Sequence, residues 1–84
     1  MENSKYTILL YYCYAEIQDP EAYREEHHLF CVENNIRGRI IISSEGLNGT
    51  VSGLTEDCVK YMAYVKSDPR FNKTEFKIDT HDKH

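Results

Sequence analysis

No apolar run in these 84 residues approaches the length needed to cross a membrane, which argues against a helical membrane anchor. Positive charge is also in deficit. Ten Lys and Arg face 14 Asp and Glu, a formal net charge of -4, so the overall field repels polyanions and any nucleic-acid contact has to be local. Cysteine is scarce as well. Cys13, Cys31 and Cys58 are odd in number, widely spaced and set in apolar patterns, which fits reduced thiols in a cytoplasmic protein better than a disulfide framework. Metal-ligand spacing is missing, and Met1-Glu2-Asn3-Ser4-Lys5 leads into tyrosine-rich sequence without a signal-peptide cleavage pattern. With 40% hydrophobic and 12% aromatic residues, the chain has enough for one core but not for a deep enclosed active site.

What is present reads as alternating strands and helices. Tyr6 to Tyr14 is an almost unbroken aliphatic, β-branched and aromatic run, expected of a central strand covered on both faces. Asp19-Pro20 supplies an N-cap and a proline at the first helical position, so a helix is expected from Pro20 to Asn34. Tyr23, His27, Phe30 and Cys31 share one face of it, while Leu29 and Val32 spill toward another. Ile40 to Ile42 and Thr50-Val51-Ser52 read as a hairpin, with Asn48-Gly49 in the turn at positive φ. Thr55 is the expected cap of a second helix carrying Cys58, Tyr61, Met62 and Val65 at i, i+3, i+4, i+7. Asp68-Pro69 ends it, and Glu75 to Asp79 alternates as a short last strand before a polar tail, His81 to His84. The order βαββαβ implies an α+β, ferredoxin-like domain: a four-stranded antiparallel sheet with two helices on one face and the first and third strands in the middle.

The hairpin concentrates polar chemistry. Ser43, Ser44, Glu45, Asn48 and Thr50 lie near Gly46 and Gly49, where such a loop either holds an anion or polar group or merely hydrogen-bonds its own turn. Arg37, Arg39 and Lys77 add a small basic cluster, and the tyrosines at 6, 11, 12 and 14 offer either a stacking face for bases or core packing. His27 and Cys31 are one helical turn apart, but two ligands do not make a metal site; a histidine packed beside a core cysteine is the simpler reading. None of the cysteines has the setting of a nucleophile.

Several segments together carry a resemblance: Leu10-Tyr11-Tyr12, Glu26-His27-x-x-Phe30-Cys31, Gly38-Arg39-Ile40, Glu45 to Gly53, Asp68-Pro69-Arg70-Phe71 and Phe76-Lys77-Ile78-Asp79. Over essentially the whole chain, in order, this resembles the N-terminal domain of the rhodanese-related tRNA uridine hydroxylases. The resemblance implies an acylphosphatase-like version of the ferredoxin-like fold, at the N-terminal end of a longer protein whose rhodanese domain, with its catalytic cysteine, is not among these residues. It further implies that the parent protein uses oxygen to hydroxylate carbon 5 of the wobble uridine of tRNA. On this reading the domain is an accessory module that positions tRNA or docks on the rhodanese domain, with no catalytic residue of its own and no assignable cofactor. The contact candidates are Arg39, Ser43, Glu45, Asn48, Thr50 and Lys77. The alternatives are a structural interaction module or an acylphosphatase-type hydrolase. The last is disfavoured because Cys13 to Asp19, where acylphosphatases carry a glycine-rich phosphate loop, has no glycine and bears acidic groups.

Overall fold

A computed structural model describes residues 5–81 of the chain. The elements are β1 (Tyr6–Tyr14), α1 (Pro20–Glu33), β2 (Arg37–Ser43), β3 (Gly46–Leu54), α2 (Thr55–Lys66), a 3-10 turn at Pro69–Phe71, and β4 (Phe76–His81). The sheet order is β2-β3-β1-β4, antiparallel throughout, so the first and third strands are central as the crossover rule requires. This is the ferredoxin-like βαββαβ arrangement.

Each helix begins and ends for local reasons. Asp19 accepts a hydrogen bond from the Ala22 N–H at 3.2 Å, Pro20 occupies the first turn, and Asn35 at φ 57° leads the chain out after the Asn34 cap. In α2 the cap position falls on Leu54, one residue before the expected Thr55, and no side chain caps it. Thr55 instead exchanges a hydroxyl hydrogen bond with Thr7 at 2.8 Å, and its N–H reaches the Lys5 carbonyl, tying the helix start to β1. The hydrophobic periodicity gives no sign of the 3-10 turn. Asp68 caps it by accepting from the Arg70 N–H at 2.9 Å, and it seats Phe71 fully inside the core. His81, read as tail, closes β4; residues 82–84 of that tail lie outside the described residues.

The core fills the space between the helices and one face of the sheet. Leu9, Ile17, Leu47, Val51, Tyr61, Val65 and Phe71 are buried there, each apolar side chain contributing roughly 1.5–3 kcal/mol. The expectation that β1 is covered on both faces fails. Thr7, Leu9 and Tyr11 point inward, whereas Leu10, Tyr12 and Tyr14 are 41%, 57% and 74% exposed. Two helices cover a four-stranded sheet on one side only, so the apolar residues at even positions of β1 emerge on an open face.

Candidate functional site on the open sheet face

The hairpin differs from expectation in a way that relocates the candidate residues. Its turn is only Ser44 and Glu45; Asn48 and Gly49 lie within β3, and the positive φ values belong to Asn35, Gly38 and Gly46. Pairing with β1 on one side and β2 on the other overrides the turn preference of Asn-Gly, because every residue from Gly46 to Gly53 has a partner in β1. Gly49 is small for a different reason. A Cβ there would come within 2.7 Å of the Tyr11 hydroxyl, whose ring lies across the facing strand.

The register sorts the open face into rows. Arg39, Thr50, Leu10 and Lys77 form one continuous row across all four strands. Beside it run Ile41, Asn48 and Tyr12. Arg39 and Lys77 thus stand on opposite edges, three strand spacings or about 14 Å apart at the backbone, with hydroxyl, amide, aliphatic and aromatic groups between them. A shallow depression of about 670 Å³ lies over these rows, with Glu75 on its rim. The Arg39, Asn48, Thr50 and Lys77 side chains make no hydrogen bond or ion pair among the described residues. Tyr12 and Tyr14 form an edge-to-face pair at 4.7 Å, and both are largely exposed.

Four of the six candidates therefore line this depression; Ser43, one row further along the same face beside Gly46 and Tyr14, and Glu45 in the turn do not. Ser43 accepts the Glu45 N–H at 3.2 Å, an internal turn contact, while the Ser44 and Glu45 carbonyls accept from Ile17 and Ala15 at 3.1 Å. The tip is stapled to the segment after β1. Leu10 and Ile41 belong to the surface and were not singled out from sequence; strand parity relative to the inward Leu9 and Ile42 is the signal that identifies them.

The same contacts bear on phosphate chemistry. The N–H groups of Ala15 and Ile17, where a phosphate loop would present donors, are already spent on the hairpin tip. The nearby cleft is lined by Glu16, Asp19 and Glu26, and its Arg70 is held by Asp68 at 2.7 Å. An acyl phosphate finds no cradle there.

His27 is a core group. It is 1% exposed, its Nε2 lies 2.7 Å from the Tyr61 hydroxyl, and Tyr61 is hydrogen-bonded in turn to the Tyr11 hydroxyl. Nδ1 has no partner among the described residues. The tautomer with Nε2–H donating to Tyr61 leaves an acceptor rather than an N–H orphaned, the cheaper deficit. Burial lowers the imidazole to about 4, so it is neutral at physiological pH. Burial likewise pushes the Cys31 thiol up to about 11, unsuited to nucleophilic work. Among the described residues no three His, Cys, Asp or Glu side chains gather as a metal would require.

Comparison with known proteins agrees with this architecture. Residues 6–84 match the UPF0176 acylphosphatase-like domain. A Cytophaga hutchinsonii protein is 67% identical over 79 residues, which are 94% of this chain and 25% of that protein. Proteins of Bacillus pumilus (54% identical over 80 residues, 95% of this chain) and Oceanobacillus iheyensis (49% over 82, 98%) are likewise matched over 25% of their length. All three are named tRNA uridine(34) hydroxylase, and the chain spans about a quarter of the length of these relatives. The chain belongs to the UPF0176 acylphosphatase-like domain family, the N-terminal part of such proteins.

Proposed function

We propose that this domain is the accessory N-terminal module of a rhodanese-type protein that hydroxylates the wobble uridine of tRNA with oxygen, and that its open sheet face positions the tRNA. The observation that carries the reading is the convergence of Arg39, Asn48, Thr50 and Lys77 beside Tyr12 on one uncovered surface. Two cations on that face, without an ion-pair partner among the described residues, give the local attraction for phosphate that the acidic whole lacks. Catalysis belongs to the rest of the parent protein, in the cytoplasm.

A second reading is supported by the exposure of Leu10 and Ile41, at 41% and 54%: the face docks on the rhodanese domain instead. Both readings give the face a role. The test is the fraction of modified uridine in tRNA from cells whose sole copy of the full-length protein carries substitutions in this domain. Arg39→Ala with Lys77→Ala lowers that fraction by roughly tenfold at equal protein level, the cost of about two charge-assisted contacts discounted for exposure. Ser43→Ala with Glu45→Ala leaves it near wild type. Full modification by the Arg39/Lys77 variant would remove the face from the function.

A further inference from the structure

The open face carries a more specific arrangement than a generic tRNA contact. Its centre is aromatic and its two edges are cationic. Tyr12 stands next to Asn48 in its row, with Ile41 beyond it on β2, and the adjacent row ends in Arg39 on β2 and Lys77 on β4. In an edge-to-face pair the ring that presents its edge keeps both of its own faces clear of its partner, and the 57% and 74% exposure of Tyr12 and Tyr14 leaves ring surface open to solvent. A nucleobase within a duplex has no free face to offer such a ring; an unpaired one does.

Building on the proposed tRNA-positioning role, we infer that the face binds an unpaired RNA strand running across the sheet, with a base stacked on Tyr12 and phosphates held by Arg39 and Lys77. Asn48 stands beside Tyr12 with its amide unengaged among the described residues, so a donor and an acceptor are available to the edge of that base. Thr50 offers a hydroxyl to the sugar-phosphate backbone between the two cations. The backbones that carry those cations stand about 14 Å apart on opposite edges of the sheet, which makes the contact a strand segment rather than a single nucleotide. Glu75 on the rim and the net charge of -4 keep the affinity modest and strongly dependent on salt.

The test is titration of the 84-residue chain with a ten-nucleotide oligouridylate and with an RNA duplex of equal length, at several salt concentrations, followed by fluorescence anisotropy of the labelled RNA. The single strand is expected to bind more tightly than the duplex. Tyr12→Ala weakens its binding roughly 5- to 140-fold, the range for one lost base stack, while Tyr12→Phe retains most of it. Arg39→Ala with Lys77→Ala reduces the slope of log K against log salt by about 1.4, or 0.7 for each phosphate released. Equal or tighter binding of the duplex, or unchanged binding by Tyr12→Ala, overturns the inference. So does an absence of binding to either RNA at low salt. If modification in cells nevertheless falls with Arg39→Ala and Lys77→Ala, the face acts through protein docking and its functional role stands without the RNA strand. If modification does not fall, the role fails too.

Discussion

Gly46→Ala is expected to destabilise the domain by about 3 kcal/mol or more, because the substitution meets two obstacles together. Gly46 sits at φ +153°, a conformation that side-chain-bearing residues rarely adopt. An added Cβ would also lie 2.3 Å from the Cys13 carbonyl oxygen and 3.1 Å from the Tyr14 Cα, both backbone atoms of the neighbouring strand. Neither can retreat without opening the β1–β3 ladder. Gly38, at φ +136° with the Thr50 oxygen 2.1 Å from the same virtual atom, is expected to behave alike at the β2–β3 pairing. Urea unfolding reads the effect as a fall in midpoint with an unchanged slope. A midpoint for Gly46→Ala close to that of the wild type would contradict the described hairpin.

The second large effect is a loss of stability in mild acid, and it originates at His27. Its folded-state pKa of about 4 lies below the ordinary 6.5, and the cause is burial. The unfolded chain therefore binds a proton that the folded chain refuses. Stability is fully present above pH 6.5 and falls by about 1.4 kcal/mol per pH unit between 6.5 and 4, about 3 kcal/mol in all. The rings around the imidazole are the phenols of Tyr23, Tyr61 and Tyr64, which carry no charge in this window. Asp68, held below its ordinary value mainly by the hydrogen-bonded Arg70, adds its own loss only at lower pH, as the solution falls below 3.8. Urea midpoints for wild type and His27→Gln from pH 4 to 7 separate the two groups. The variant is less stable at pH 7 but loses less on acidification; an equal slope in both proteins would refute the assignment.

The fold was legible because local and long-range signals coincide. Asp19-Pro20, the Cys58 to Val65 stripe and the apolar run of β1 each name an element, and the order of elements names the topology. What misled was residue type taken without its neighbours. Asn48-Gly49 has the composition of a turn, yet its partners Tyr12 and Tyr11 hold it in the sheet, and the turn falls where Gly46 supplies the unusual φ. The run Tyr6 to Tyr14 has the composition of a doubly covered strand, but only its odd positions meet helices. The same composition hid the open face: Leu10, Tyr12 and Ile41 emerge on its uncovered side, while Arg39, Asn48, Thr50 and Lys77, distant in sequence, share that surface only through register. His27 and Cys31, suggestive as a pair, proved to be packing groups.

The most direct measurement is chemical-shift mapping of the isotope-labelled 84-residue chain during titration with unmodified tRNA at low salt. Perturbations are expected to cluster on Leu10, Tyr12, Arg39, Asn48, Thr50 and Lys77 and to fade as salt rises, with the outer faces of α1 and α2 silent. Perturbations confined to the helices or to the Ser43–Glu45 tip, or none at any salt concentration, would contradict a role of the open face in positioning tRNA.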